Sequence, residues 1–428
     1  MLSGAPAAPA RTIRAWLVWG TAAIFVVYNY IQQVVPGLIT ADLARDFHVN
    51  AGALGALAAY FFYAYAVLQI PVGLAVDRFG PRWPLTLAIG VAAVGSLGFG
   101  WAPTAGWAGL ARLVVGAGAA FSFIACLKLV SNWFAPGRFA TLAGLTNTAG
   151  MVGAAAGAPL AALIGHTGWR GAVLLLGGLG LGLGVLALLL VRDRPADDAE
   201  PYGHAQGGAG GLLAALVDTL RSSQAWLNAG YATAISLSFV AFGALWGPPY
   251  IAKAYALETT AATGVVAMLF LGAIAGSLFF GWYSDVLRSR RLPMIGAALG
   301  GLVTLAVILY VPGLSLGMLR VLLALLGFFC SANILSYAVA HDISPPARAG
   351  LALGFLNTCY YGGSALSQPL VGWLLDRRCP GGLAAFQPGD YRFAFSAVVV
   401  FLALAVLAAG LLRETHPDRK VAVQRPSR

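Results

Sequence analysis

The chain has 428 residues, of which 59% are hydrophobic and only 10% are charged, and its mean hydropathy is +0.80. Soluble domains carry roughly 25% charged residues, so this composition excludes a water-soluble globule. The formal net charge is +11 at pH 7, and its distribution along the chain, described below, carries information about topology.

Twelve apolar segments are each long enough to cross about 30 Å of hydrocarbon as a helix. Backbone groups in lipid must be hydrogen-bonded within the segment, and these runs lack the polar alternation of a barrel strand. The predicted fold class is therefore an all-α polytopic membrane protein. The predicted spans cover residues 16–40, 52–76, 84–102, 107–134, 138–165, 169–192, 225–252, 261–284, 292–312, 314–341, 348–375 and 391–413.

The basic residues of the loops are divided unequally between the two sides of the membrane. With twelve spans both termini lie on one side, and that side carries seventeen Lys or Arg residues against six on the other. For a multi-pass protein of a bacterial inner membrane, which we expect here, the positive-inside rule then predicts that both termini lie in the cytoplasm. Because topology explains the positive charge, the sequence indicates no nucleic-acid partner.

The segment 193–224 interrupts the apolar pattern with an acid-rich and then a glycine-rich stretch. This composition predicts a flexible cytoplasmic linker between two six-helix bundles, 1–192 and 225–428. An internal repeat supports the division, because glycines and rare intramembrane polar residues recur at nearly constant spacing. The matched pairs include Gly73 and Gly281, Asp77 and Asp285, Arg112 and Arg320, Arg138 and Arg348, and Asn147 and Asn357.

The short loop after the second span contains a glycine, acid and arginine motif with the residues Gly73, Asp77, Arg78, Gly80 and Arg82. It resembles the signature G-x-x-x-D-R-x-G-R-R of the major facilitator superfamily, with proline at one basic position. A shorter copy ending in Asp285 follows the eighth span. These residues are predicted to form a gate. When the cytoplasmic side closes, Asp77 is expected near Arg348 at the start of span 11, and Asp285 near Arg138 at the start of span 5.

Three basic residues lie inside predicted spans, namely Arg112, Lys128 and Arg320. The element around Arg112 resembles the family pattern R-x-x-x-G-x-G-x-A. An intramembrane cation costs several kcal/mol unless it faces protein or water, and no Asp or Glu lies in the central third of any span. The pattern therefore predicts a cavity for a negatively charged solute. The alternative for each residue is a long side chain that snorkels to the interface.

Uncharged polar residues also cluster at mid-depth, and they predict either the wall of a wet cavity or polar contacts between helices. The candidates for substrate binding are Tyr28, Gln32, Asn147, Asn333, Tyr337, Asn357 and Tyr361. The histidines and cysteines show no metal-ligand spacing, and the chain has no Gly-rich phosphate loop. The sequence thus predicts neither an enzyme nor a bound metal or other cofactor.

The family resemblance extends over residues 16–413 and implies alternating access, in which two bundles rock around a midplane site. The stretch from Leu127 to Phe134 is also similar to bacterial carboxylate-siderophore uptake permeases and to the lysosomal dipeptide transporter. The predicted function is proton-coupled uptake of a small organic anion or zwitterion by a monomer. Two alternatives remain open: a drug or metabolite exporter that works by proton antiport, and a membrane-embedded partner protein that moves no solute.

Overall fold

The computed structural model describes residues 9–135, 138–194, 217–344 and 349–415, and within these ranges it contains helices and no strand. A π-helical segment, Ala241–Trp246, and two 3₁₀ turns, Ser331–Asn333 and Leu383–Ala385, complete the helical structure. The helices are α1 (Pro9–Leu38), α2 (Thr40–Phe47), α3 (Ala51–Phe79), α4 (Arg82–Gly100), α5 (Ala105–Ala119), α6 (Ser122–Trp133), α7 (Phe139–Ala155), α8 (Gly157–Leu190), α9 (Ser223–Val240), α10 (Gly247–Tyr255), α11 (Thr259–Val286), α12 (Arg291–Tyr310), α13 (Leu316–Cys330), α14 (Ile334–Asp342), α15 (Ala349–Arg378) and α16 (Pro388–Leu411).

These helices form twelve spans, several of which contain a local break. Span 4 consists of α5 and α6, span 7 of α9, the π segment and α10, and span 10 of α13, the first 3₁₀ turn and α14. Spans 5 and 6 follow each other without a loop, because Gly168 in α8 has a φ of 70° and a ψ of 163°. A glycine adopts this conformation without a steric penalty, so one residue separates the two spans.

Length and composition alone identify nine membrane-spanning helices in the described residues, or ten when α1 and α2, which meet at a 62° bend, count as one broken span. That number includes Thr141–Leu190 as one span, although Gly168 divides this region into spans 5 and 6. Helix α15 is not counted, because polar residues such as Asn357 and Gln368 interrupt its apolar sequence. With these two cases included, the prediction of an all-α polytopic membrane protein is confirmed.

We call spans 1–6 the first half and spans 7–12 the second half. Helix α3 packs along α15, α1 packs against the π segment and α10, and α7 and α8 pack against α11, so three pairs of spans join the halves. Most of the predicted linker 193–224 lies outside the described residues. We call the side of the bundle that carries Pro9 and Thr415 the termini side, and the opposite side the far side.

The halves meet on the far side at glycines, where backbones approach closely. A Cβ atom added to Gly37 would lie 2.4 Å from the carbonyl oxygen of Ala244, and one added to Gly55 would lie 2.4 Å from that of Gln368. At Gly157 the added Cβ would lie 2.6 Å from a methyl group of α11. Any larger residue must displace backbone or side chain at these positions, so the far side is closed by three glycine crossings.

The short helix α2 on the far side is attached to the first half. The indole Nε1 of Trp169 donates to Asp46 Oδ2 at 2.9 Å, and Arg45 Nε donates to Asp46 Oδ1 at 3.3 Å. These hydrogen bonds, that from Trp169 above all, hold the pKa of the Asp46 carboxyl below its ordinary value. Helix α2 therefore belongs structurally to the first half although it lies at the entrance between the halves.

Candidate functional site

A cavity lies between the two halves at mid-depth. Its wall is formed by helices of both halves, with α1 and α7 on one side and α9, α11, α13, α14 and α15 on the other. No charged side chain occurs among the lining residues that the structure describes. The polar lining consists of amides, hydroxyls and phenols, the largest being Tyr30, Asn147, Asn333, Tyr337, Tyr360 and Tyr361.

Four residues that the sequence predicted for substrate binding line this cavity, namely Asn147, Asn333, Tyr337 and Tyr361. A fifth, Asn357, lies directly behind the wall. Its Oδ1 accepts a hydrogen bond from the Tyr337 hydroxyl at 2.7 Å, and its Nδ2 donates to Gln69 Oε1 in the first half at 3.2 Å. Asn357 therefore orients Tyr337 and also joins the two halves.

Tyr30 and Tyr360 also line the cavity, although they were not predicted from the sequence. Tyr30 lies two positions after the predicted Tyr28, and Tyr360 is adjacent to the predicted Tyr361. Neighbouring positions on a helix point about 100° apart, and positions two apart point about 160° apart, so the sequence did not show which member of each pair faces the cavity. The structure shows that both residues of the second pair do so, and only Tyr30 of the first.

Arg112 in α5 is completely buried. Its Nη1 donates to the backbone carbonyl oxygen of Gln32 at 2.8 Å, and its guanidinium carbon lies 4.9 Å from the ring centroid of Phe61 and 5.9 Å from that of Phe99. The Nε and Nη2 atoms are buried without a hydrogen-bond partner, and no described carboxylate pairs with the residue. Ring faces and one carbonyl compensate a buried charge only in part.

Tyr28 and Gln32 lie beside Arg112 and do not line the cavity. Gln32 Nε2 donates to the Tyr28 hydroxyl at 2.8 Å and to Ser96 Oγ at 3.0 Å. The predicted binding residues are therefore divided into a cavity group and a buried Arg112 group.

A row of aromatic rings connects the two groups. The Phe61 ring, which lies next to Arg112, has its centroid 5.8 Å from that of Tyr65. The Tyr65 ring in turn lies 4.0 Å from that of Tyr361, which lines the cavity. Arg112 thus lies behind the first-half wall, separated from the cavity by packed rings.

The other two intramembrane cations lie elsewhere. Lys128 Nζ lies 2.6 Å from Asp77 Oδ1 near the termini-side end of span 4, and neither residue lines the cavity. Arg320, which was expected to be buried like Arg112, is exposed. Arg320 is only four residues from the far-side start of α13, where a long charged side chain is near water. The structure therefore does not bring the three cations together.

The predicted gate residues lie at the termini side. Asp77 binds Lys128 and Asp285 binds Arg290 at 2.8 Å, each within its own half, and their side chains are 59% and 68% exposed. Arg138 is exposed as well, whereas Arg348 lies outside the described residues. The predicted approach of each aspartate to the opposite half therefore remains a prediction for a state in which this side is closed.

The glycines and arginines of the loop motif have distinct local surroundings. Gly80 has a φ of 76°, which a glycine adopts readily, and it ends α3 before the turn into α4. Gly73 has no atom within 4 Å of its added Cβ, so close packing does not require this glycine in the present state. Arg78 and Arg82 lie over the rings of their next neighbours, with distances of 5.4 Å and 5.0 Å to the ring centroids.

Carboxylates just after spans 6 and 12 cap spans 3 and 9 on the same side. Asp193 Oδ1 accepts a hydrogen bond from the Arg82 backbone N at 2.8 Å, and Glu414 Oε1 accepts one from the Arg290 backbone N at 2.9 Å. A negative charge at a helix N-terminus is stabilising. This repeated contact fastens the last span of each half to the loop that carries the gate residues.

A carboxylate that was not predicted from the sequence connects the halves on the far side. Asp376 of α15 accepts hydrogen bonds from the backbone N atoms of Ala51, at 3.1 Å, and Gly52, at 2.7 Å. These amides form the first turn of α3 in the other half, so the contact combines charge with the positive end of a helix. Asp376 is therefore a latch of the closed far side.

Asp376→Asn is expected to shift the protein toward a state that is open on the far side. The loss of the charge at the helix N-terminus should weaken closure by about 1 kcal/mol, roughly a fivefold change in population. Spin-label distances across the far side measure this shift. Asp390→Asn is the matched control, because Asp390 caps its own helix α16; an equal shift in both variants would contradict the latch.

A family model described as Major Facilitator Superfamily matches residues 20–367 and, in a second match, residues 236–427. The chain belongs to the Major Facilitator Superfamily. The fold agrees with this, since the structure is similar to the crystal structure of a bacterial homolog of the human lysosomal transporter Spinster in an inward-facing and occupied conformation. That match has a TM-score of 0.76 at 16% identity and covers 99% of this chain and 100% of the other.

Relatives of this superfamily member include transporters and a sensor. The chain is 28% identical to the membrane sensor protein UhpC of Salmonella typhimurium, covering 85% of this chain and 84% of that protein. It is 27% identical to the probable L-galactonate transporter of Escherichia coli, covering 88% and 86%, and 24% identical to the probable galactarate/D-glucarate transporter GudP of Bacillus subtilis, covering 98% of each. The chain is thus a multi-pass membrane protein of a transporter family and not an enzyme.

Proposed function

We propose that this superfamily member is a secondary active transporter that takes up a small organic anion or zwitterion by alternating access, coupled to proton movement. The observation that carries the proposal is Arg112, a fully buried cation without a carboxylate partner among the described residues. Such a charge is favourable only when an anion compensates it. In our proposal, the rings of Phe61, Tyr65 and Tyr361 that separate Arg112 from the cavity move aside during the transport cycle, and a carboxylate of the solute then supplies this compensation.

The relatives support the same class of solute. The relatives of this chain include probable transporters of L-galactonate, of galactarate or D-glucarate, and of sulfoacetate, all of which are organic acids. Two other features suit alternating access: the cavity lies between the halves, and the far side is closed by glycine crossings and the Asp376 latch. In our proposal, opening of this latch admits the solute from the far side.

The unequal distribution of basic residues supports an inner-membrane protein whose termini side faces the cytoplasm. In this orientation the proposed transport runs from the far side to the cytoplasm. We further propose that the protein works as a monomer, because each copy contains both halves and the cavity between them.

Flux into proteoliposomes tests the proposed function. Vesicles containing the purified protein should accumulate labelled organic acids when the side from which the solute is taken up is made acidic, and collapse of the pH gradient with a protonophore should reduce accumulation. Export of the same acids in exchange for protons would favour the antiporter alternative. Facilitated flux that does not respond to the pH gradient would show that transport is not coupled to protons.

A second candidate function is sensing without transport, because one relative at 28% identity is a membrane sensor protein. A sensor of this fold binds its solute and changes conformation but carries no net flux. Binding of an organic acid together with the absence of flux in proteoliposomes would support this candidate. Measurable flux would exclude it as the whole function.

Lys128 belongs to the gate in this proposal and not to the binding site. Lys128→Gln removes the partner of Asp77, an exposed pair that contributes at most about 1 kcal/mol. We expect the transport rate to change while the affinity for the solute stays within about twofold. Isothermal titration alongside flux measures both quantities, and a tenfold loss of affinity would instead place Lys128 in the solute path.

A further inference from the structure

The polar wall of the cavity is electrically neutral within the described residues. Asn147 projects from the first half and Asn333 from the second, and tyrosine hydroxyls surround them. Amides and phenols both donate and accept hydrogen bonds. Such a wall complements neutral polar groups of a solute. It therefore binds a different part of the solute from the carboxylate that Arg112 attracts.

Asn333 has an unsatisfied acceptor at this wall. Its Oδ1 is buried and has no hydrogen-bond partner, although the residue lines the cavity. The residue ends the 3₁₀ turn that interrupts span 10 between α13 and α14. A buried acceptor without a donor is unfavourable, so a solute that supplies a donor at this point gains affinity.

The chemistry of the missing donor limits the solute class. A carboxylate has only acceptor atoms and cannot satisfy Asn333 Oδ1. An ammonium group can donate, but a buried ammonium needs a compensating anion, and the described lining contains no carboxylate. A hydroxyl group donates without a charge and also fits the surrounding phenols. Asn333 therefore favours a solute with a neutral donor, and a hydroxyl group is the smallest such donor.

We infer that the solute is a hydroxylated organic acid, in which a hydroxyl group donates to Asn333 Oδ1 on the second-half wall while the carboxylate faces the first half, where Arg112 lies. The inference rests on the proposed function for the carboxylate and adds the hydroxyl groups. Tyr337, held by Asn357 at 2.7 Å, and Asn147 on the opposite wall are placed to bind further hydroxyls. The two ends of the solute are thus recognised by different halves of the protein.

Titration calorimetry on the purified full chain with three probes tests the inference. The probes are gluconate, hexanoate of equal chain length without the hydroxyl groups, and sorbitol without the carboxylate, with other hydroxy acids of three to six carbons as a supplementary series. We expect the best hydroxy acid to bind at least about tenfold more tightly than the equally long plain acid. Equal binding of both, or binding by no hydroxy acid of the series, would overturn the inference.

Variants separate Asn333 from the rest of the cavity. Asn333→Leu should reduce hydroxy-acid affinity about tenfold and leave plain-acid affinity unchanged, whereas Leu299→Met, at an exposed position of α12 outside the cavity, should change neither. If Asn333→Leu fails to fold, the comparison of the three probes on the unmodified protein still tests the inference. Sorbitol binding as tight as that of gluconate would contradict the proposed anion transport but uphold hydroxyl recognition, so the two failures are distinguishable.

Discussion

Arg112→Gln is expected to remove most of the affinity for the transported anion while the protein stays folded. The loss should be on the order of 1.5–3 kcal/mol, as for a hydrogen bond to a charged group, or roughly ten- to a hundredfold in the dissociation constant. The physical reason is that the buried guanidinium has two nitrogens without hydrogen-bond partners, and in our proposal the anion reaches them when the rings of Phe61, Tyr65 and Tyr361 move aside. Calorimetry with an organic acid, normalised for folded protein, measures the loss.

The internal repeat provides the matched control for Arg112. Arg320→Gln changes the corresponding position of the second half, where the side chain is exposed, and should leave affinity and stability near the original values. Because Arg112→Gln removes an incompletely compensated buried charge, its thermal stability should be equal or higher. Unchanged affinity with a lowered melting temperature would instead show that Arg112 is structural.

Gly55→Ala is expected to prevent full closure of the far side. The added Cβ would lie 2.4 Å from the Gln368 carbonyl oxygen and 2.7 Å from the Pro369 Cα, and these backbone atoms cannot move without separating α3 from α15. Overpacking of this kind costs about 1–3 kcal/mol, which corresponds to a population shift of roughly five- to a hundredfold toward the state that is open on the far side. Transport should fall because the cycle requires both states.

Spin labels at the far-side ends of spans 3 and 9 measure this shift. Trp101 and Val311 are exposed there, one in each half, and their mutual distance should increase in Gly55→Ala. Gly90→Ala is the control, because nothing lies within 4 Å of its added Cβ. Alanine favours a helix over glycine by about 1 kcal/mol, and this effect is the same in the variant and in its control. A distance that stays unchanged in both variants would refute the crossing as a determinant of closure.

The fold class followed from the sequence because its causes are local. A span needs about twenty apolar residues and satisfies its own backbone, and twelve segments of this sequence meet that requirement. The repeat of Asp77 as Asp285, and the glycine that turns α3 into α4, are also visible in the residue order. Even α15, the most polar span, was predicted, since its length and its place in the repeat outweigh its composition.

The composition of the cavity was only partly predictable. Asn147, Asn333, Tyr337 and Tyr361 line it as expected, because rare polar residues at mid-depth have few other favourable places. Tyr28 and Gln32 met the same criteria but face Arg112 inside the first half. The choice between these environments depends on helix rotation within the bundle, which packing against other spans decides.

Arg112 and Arg320 show most clearly what only the tertiary structure decided. They occupy corresponding positions of the repeat, yet the first is completely buried and the second is exposed. Burial depends on Phe61 and Phe99, which belong to other spans than Arg112. The Asp376 latch is similar, since it joins residues 325 positions apart in the chain. Residue order alone determined the spans and their repeat, whereas the surroundings of each charge arose from long-range packing, which no local pattern encodes.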